Sequence, residues 1–484
     1  MLPETPQDTG ATTVDDSSAD NSPTTTATTS HDPEESTEKE TTTDSHRRRY
    51  GRFVEFFADA DRRWLLLIFI GYLLRAGLIL IWRGPMDHVF SDPSRHLDNA
   101  RHFLEPGPMG CSNPYFYQLF LWVIISVTKE ARIWMHLIAV ALSWLHPYVW
   151  YRFASTVMVK RKNALRLWAI LTFLPTHATM FTFLMNETLM LPLLGGALWA
   201  TSVAAQRRSS WRFLLATLLW TCTFLTRSIA LPIAGVAMLY ALVHQPGRPL
   251  WKRPLLASAS AAIAAVGLWV AAQHSVRILE YATPFGDNAN TSIYMISGAK
   301  GYQVTYIKPK KYRYTYVFSS PSYYVSPFDP FYQWTSVRQG TFKYTTNVET
   351  HGKDLEQVWR DQFKKNKHRL PRLVFENIIF LTFGHSWPEA GKGALWPQVC
   401  LQERWIWLPV TLTAVLWSLA FMIRRRRLFP VPVLVLFATG LLYGLQLVVM
   451  EGRYRKPIEP ILFLGILWLV DALSDPKIEA PAKQ

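Results

Sequence analysis

Cysteine is scarce: Cys111, Cys222 and Cys400 are the only three in the chain. They form no Cys-x-x-Cys pair and no Cys/His spacing of a zinc site, so structural zinc finds no support. No Gly-rich phosphate loop occurs, and no nucleotide pocket is called for. There is neither an internal repeat nor a matched pair of Gly/Pro-broken apolar segments, which argues against an alternating-access transporter. The first long apolar run is too long for a cleaved leader and has no small-residue cleavage site behind it, so it reads as a retained signal anchor.

Apolar and aromatic residues fill the space these absences leave: 49% of the 484 residues are hydrophobic and 14% aromatic, in clusters. RRWLLLIFIGYLLRAGLILIW (62–82) alone is about long enough to cross a bilayer core, and several such runs follow. The expected fold class is an all-α polytopic membrane protein, with about ten transmembrane helices, interfacial helices and a small mixed α/β extracytoplasmic segment.

The net charge of +16 joins two regions of opposite sign. Residues 1–46 hold 11 acidic residues and one Lys, leaving +26 for the remainder. The tail, 1–50, has too few large apolar side chains to offset the entropy of ordering and is expected to be disordered and cytoplasmic. Elsewhere the cations sit at the ends of apolar runs, where topology and anionic headgroups account for them. The expected partner is therefore the bilayer, and no nucleic acid is expected.

The positive-inside rule decides how the runs are counted. If PYFYQLFLWVIISV (114–127) crossed the membrane, the clusters VKRKN, QRRSSWR, GRPLWKR and RRRR would all lie outside. As an interfacial helix it leaves all four in the cytoplasm. The spans expected are then 63–82, 132–152, 164–184, 187–205, 211–226, 228–244, 255–273, 404–423, 429–449 and 457–473, with both termini inside. This divides the chain into a transmembrane module 60–273 with its outer loop 84–131, an outer segment 274–403, C-terminal helices 404–473 and a cytoplasmic end 474–484. Cys111 and Cys400 both fall outside, where a disulfide could persist, while two free thiols are the plainer expectation.

Beyond the first span comes HVFSDPSRHLDNARHFLEPG. Asp92 suits a helix N-cap and Pro93 a first turn, with Leu97, Ala100, Phe103 and Leu104 on one face. A bare cap on an interfacial helix would explain Asp92, but a carboxylate at the membrane boundary, crowded by Arg95, His96 and Asp98, suits chemistry as well. Glu187 lies between long apolar stretches; it is either a hinge that caps a span or a carboxylate facing a partner or water. Arg227 stands at the next outer junction, and Arg453, Tyr454 and Arg455 precede the last span. Outward-facing guanidinium groups at span ends share a need for an anion, and their planar forks fit phosphate. The inferred ligand is a lipid-linked phosphate or diphosphate.

The order SDPSRHLDNARHFL, NPYFYQLF, LPTHATMFTFLMNETLML, LTRS, RYRKPIEP over residues 60–473 resembles the membrane glycosyltransferases of the GT-C fold. Within them it is most similar to the protein O-mannosyltransferase and aminoarabinose transferase group. The resemblance implies Asp92 as catalytic base, with Arg95 at the family's conserved Arg, while Pro93 and His96 depart from its second acid and its aromatic residue and leave Asp98 as a stand-in acid. Glu187 falls at the acid that opens the fourth span, and Arg453 to Arg455 at a basic motif near the carrier phosphate. It further implies transfer of a sugar from a polyprenyl-phosphate carrier to a lipid, glycan or protein acceptor, with inversion, at the outer face of the membrane; the lack of a cleaved leader and the outward orientation suit a bacterial inner membrane, with endoplasmic reticulum the alternative. No cofactor is called for; Asp92, Glu187 and His96 permit a divalent metal but lack metal-ligand spacing. Other readings are a ligase or polymerase of lipid-linked glycans and, from another class, a lipid-linked substrate flippase that needs no catalytic carboxylate. In 274–403, alternating residues suggest a few strands, and 355–381 reads as basic amphipathic helices on the membrane.

Overall fold

The computed structural model describes residues 60–87, 89, 92–105, 114–243, 252–279, 300–308, 311–319, 341–348, 378, 381–383, 395–445 and 452–474. The tail 1–50, Cys111 and 355–377 of the basic stretch lie outside them. The described chain is mostly helical. In order come α1 (Ala60–Gly77, continued by a π turn Leu78–Trp82), α2 (Asp92–Arg101), α3 (Tyr115–Thr128), α4 (Arg132–Val157), α5 (Arg161–Phe173), α6 (Pro175–Met180), α7 (Asn186–Gln206), α8 (Ser210–Thr226), α9 (Ala230–Val243) and α10 (Lys252–Leu279). After β1 (Lys300–Lys308), β2 (Lys311–Ser319) and β3 (Thr341–Val348) follow α11 (Leu395–Gln402), α12 (Trp407–Arg425), α13 (Pro430–Leu445) and α14 (Glu459–Leu473). The strands pair antiparallel in chain order, with Tyr316 opposite Tyr302 on one side and Tyr344 on the other.

Among the described residues, four helical stretches are long and apolar enough to cross a membrane: Asp61–Trp82, Asn186–Gln206, Arg253–His274 and Gln398–Arg425. That is fewer than the ten expected, for reasons of length, breakage and, over 132–152, where α4 is a single helix of 26 residues, insufficient hydropathy. The helices over 211–226, 228–244, 429–449 and 457–473 run only 17, 14, 16 and 15 residues. The expected span 164–184 is not one helix. Pro175 drives Leu174 out of the helical region to φ −63°, ψ 113°, ending α5, and then starts α6 as its first residue. The run 114–127 is a single short apolar helix, α3.

Burial separates the central helix from the peripheral ones. In α7, 61% of the apolar window is buried, against 22% in α1 and 11% in α10. α7 is packed between α4 and α8, and Gly195 makes the approach possible: a Cβ there would sit 2.8 Å from the buried Trp150 ring. Trp150 donates to Leu191 O (3.2 Å), and the equally buried Trp220 donates to Thr201 Oγ1 (2.9 Å), so each indole N–H is satisfied as its ring is buried. The outer faces of α1, α10 and α12 expose Leu74, Trp269 and Leu416, as helices facing lipid would.

One charged residue repairs three breaks in this apolar interior. Ser143 O has no helical partner because position 147 is Pro, and Leu171 O has none because position 175 is Pro. Thr172 O loses its partner because Thr176 N–H is turned to Glu403 Oε2 (2.8 Å). Arg75, 2% exposed on α1, donates to all three: Nη1 to Ser143 O (2.9 Å), Nη2 to Leu171 O (2.5 Å) and Nε to Thr172 O (2.7 Å). α1 is thereby fastened to α4 and α5 through carbonyls that water cannot reach.

Contacts at helix termini sort the bundle into two ends. At one, the carboxylate of Asp471, in the last turn of α14, accepts from Val159 N (2.6 Å), Lys160 N (3.0 Å) and Asn163 Nδ2 (3.2 Å), closing on the α4–α5 turn. At the other, Asp87 pairs with Arg132 (2.8 Å) at the start of α4, and the Arg83 guanidinium lies over the Phe183 ring (5.1 Å). The turn after α1, the start of α7, the end of α8 and the segment before α14 gather at that second end.

Candidate functional site

α2 leaves the end of α1 with Asp92 as its first residue and Pro93 second, an order a proline tolerates because the first N–H groups of a helix need no intrahelical acceptor. The Asp92 side chain lies outside the described residues. Pro93, His96, Leu97 and Ala100 form the buried face, and Phe103 extends it, while Leu104, expected there, is 47% exposed. This face rests on α3: the His96 ring meets Tyr117 edge-on at 5.0 Å, and Gln118 Nε2 lies 3.4 Å from His96 Nδ1.

Tyr117 carries the contact onward, being fully buried beside Glu187 and Thr188 in the first turn of α7. Glu187 is 1% exposed and bonds through Oε1 to Arg227, the residue that ends α8. Its second oxygen, Oε2, is buried with no hydrogen-bond donor from another side chain among the described residues. The Arg227 guanidinium sits over the Tyr454 ring at 5.3 Å, and Arg453 faces the same ring at 5.4 Å. Glu187 feels the charge of both arginines.

His96, Glu187, Arg227, Arg453 and Tyr454, which are far apart in sequence, are thus joined by a continuous path through Tyr117. The group holds two guanidinium groups, the residue type whose planar fork suits phosphate.

The other nominated residues lie elsewhere. Asp98 is drawn into a surface clamp with Arg101 (3.0 Å), whose guanidinium also grips both oxygens of Glu130 (2.7 and 2.6 Å) across the α3–α4 turn. That turn carries two non-glycine residues at positive φ, Lys129 at 51° and Glu130 at 59°. Arg95 is half-buried on α2. Arg455 faces away from Tyr454 into the protein, donating to Glu459 Oε1 (2.8 Å) and Thr382 O (3.1 Å), with its guanidinium over Trp407 at 4.7 Å.

A second polar group surrounds Glu459 and was not read from the sequence. His177 Nε2 lies 2.6 Å and Lys456 Nζ 2.9 Å from Glu459 Oε2, and His146 Nε2 lies 2.9 Å from His177 Nδ1. Lys456 also reaches Thr176 Oγ1 and, at 3.7 Å, Glu403. The spacing Arg455-Lys456-x-x-Glu459, two cations three and four residues before an acid that opens a helix, was the available signal. No cluster of His, Cys, Asp and Glu that could hold a metal occurs among the described residues. Cys400 is a free thiol, 3.3 Å from Thr179 Oγ1.

A cleft of about 510 Å³ opens between α1 and the α5–α6 break, lined by Gly71, Arg75, Gly77, Trp82, Pro175 and Trp396 among others. None of the nominated residues lines it. Comparison with protein-family models, with curated proteins and with solved structures returns no match.

Proposed function

We propose that the chain is a polytopic membrane glycosyltransferase resembling the GT-C enzymes, which transfers a sugar from a polyprenyl-phosphate carrier to an acceptor with inversion at the anomeric carbon. The reading places ten crossings in the membrane, a small mixed α/β segment beyond the outer face, and the Arg453 end of the bundle outside the cytoplasm. The observation that carries it is the stacking of Arg227 and Arg453 on Tyr454 with Glu187 paired to Arg227, a group linked through Tyr117 and His96 to the helix that begins with Asp92. Guanidinium groups held on a rigid ring are prepositioned for a phosphate. They would stabilise the charge that builds on the departing phosphate oxygen as the glycosidic bond breaks. Asp92 would take the acceptor's proton as its oxygen or nitrogen attacks. Oε2 of Glu187 would accept a hydrogen bond from a hydroxyl or amine of the bound substrates.

The test uses the full chain reconstituted in lipid and supplied with polyprenyl-phosphate sugar. Release of polyprenyl phosphate should be lost in Asp92→Asn, by about 10²–10⁴-fold, the usual contribution of a general base. In Arg453→Ala and Arg227→Ala the affinity for the carrier should fall. Full activity of Asp92→Asn in a folded protein would remove Asp92 as the base; a wild-type protein that binds the carrier but releases no polyprenyl phosphate would remove the transferase reading and favour a carrier of lipid-linked substrates.

A further inference from the structure

We infer that Glu459 is a positioning residue for the anion site, holding the Arg453–Tyr454 turn in place through the two cations that follow it. This rests on the reading of Arg227, Arg453 and Tyr454 as the phosphate-binding group. Residues Gly452–Arg455 form a single 3₁₀ turn, closed by Lys456 N to Arg453 O at 3.0 Å and followed by Ile458 N to Arg455 O at 2.9 Å. Within it the side chains divide. The Tyr454 ring lies against the Arg227 and Arg453 guanidinium groups, whereas Arg455 and Lys456 point inward and are both gripped by Glu459.

The grip is fully buried: Arg455, Lys456 and Glu459 are each 0% exposed. Two cations, Arg455 and Lys456, meet two carboxylates, Glu459 and Glu403, so with neutral histidines the group carries no net charge and needs no outside counterion. Every oxygen of the two carboxylates receives a donor. Glu459 Oε1 takes Arg455, and Oε2 takes Lys456 and His177; Glu403 Oε1 takes Thr176 Oγ1 and Oε2 takes Thr176 N–H. Two buried carboxylates with a donor on every oxygen, in a low-dielectric interior, have few good arrangements, and rigidity is what such pairing supplies. Its anchors are the α5–α6 break, the 3₁₀ turn Glu403–Ile406 that precedes α12, and the backbone carbonyl of Thr382. A turn in register with three such elements cannot rotate Arg453 and Tyr454 away from Arg227 without breaking a buried ion pair. Moving charge out of this network costs more than any surface ion pair would.

The experiment measures how strongly the full chain in lipid nanodiscs prefers undecaprenyl phosphate over undecaprenol, normalised to folded protein. Two variants are used. Glu459→Gln with Lys456→Gln removes one charge of each sign and keeps the network neutral. Thr176→Val deletes only the hydroxyl between Lys456 and Glu403. The preference should fall by about tenfold or more in the double variant, the scale of one lost hydrogen bond to a charged group, and by a smaller factor in Thr176→Val, with undecaprenol binding unchanged. Wild-type preference in the folded double variant overturns the inference while leaving the anion site standing. So does a parallel loss of both ligands, the mark of a merely structural role. If the double variant does not fold, an unchanged preference in Thr176→Val overturns it. A wild-type protein that does not tell the phosphate from the alcohol overturns the anion site and this inference together.

Discussion

Replacing Arg75 with Met keeps an unbranched stem of similar length and removes the guanidinium. Ser143 O, Leu171 O and Thr172 O then lose their donor at once. At roughly 1–3 kcal/mol for each buried carbonyl left unsatisfied, the gross penalty is about 3–9 kcal/mol, reduced because a desolvated cation no longer has to be buried. A net loss of about 4 kcal/mol is expected, enough to remove much of a typical domain's stability. The cause can be isolated. Pro147→Ala returns an N–H to the position that Ser143 O lacks, so the combined variant Arg75→Met with Pro147→Ala should be more stable than the two single changes added together predict. A coupling of about 1 kcal/mol is expected, the worth of one intramolecular hydrogen bond. Arg75→Lys, which keeps the charge but not the fork that reaches two helices, should recover only part of the loss. The assay is equilibrium unfolding in mixed detergent micelles, followed by tryptophan fluorescence. If Arg75→Met stays within about 1 kcal/mol of wild type, or the cycle is additive within about 0.5 kcal/mol, Arg75 does not serve as the common donor for the broken helices.

Lys129 ends α3 in the left-handed region, at φ 51° and ψ 35°, a position where glycine avoids the penalty of a Cβ. Lys129→Gly should therefore raise the thermal midpoint, by a gain of up to about 1 kcal/mol; a lower midpoint would contradict that reading of the turn. The Arg101 hydrogen bond beside Glu130 holds its carboxyl below the ordinary 4.5 and outweighs the opposing effect of burial. A carboxyl depressed on folding contributes stability that is fully present above about pH 4.5 and is lost as the pH falls through the lower, folded value. Thermal midpoints measured from pH 6 downward should show a steeper acid fall in the wild type than in Glu130→Gln. Equal slopes would show that the clamp contributes nothing.

The helical content and the positions of the helices were legible because apolar runs and their boundaries are local properties. Hence helix lies over each segment nominated as a span, in two pieces over 164–184, even though among the described residues four stretches are long and apolar enough to cross a membrane by themselves. The break at Pro175 was also written in the chain, since proline constrains both its own residue and the one before it, yet the uniform hydrophobicity of LWAILTFLPTHATMFTFL concealed it. Arg227 and Arg453 were nominated from charge at span ends, and the fold does bring them to one ring. Arg455, two residues from Arg453, could not be distinguished from it by composition, because direction within a turn depends on which acid waits on the inner side.

Sequence by itself determined where helices start and stop, which stretches avoid water, and which residue types could hold an anion, since propensity, hydropathy and proline geometry act within a few residues. Only the tertiary structure decided that Arg75 serves three broken carbonyl rows, that Glu187 meets Arg227 and that Glu459 claims Arg455 and Lys456. Each of these pairings satisfies a buried charge or dipole with a group from another turn or helix, and in an interior without water such partners are fixed by how the helices pack.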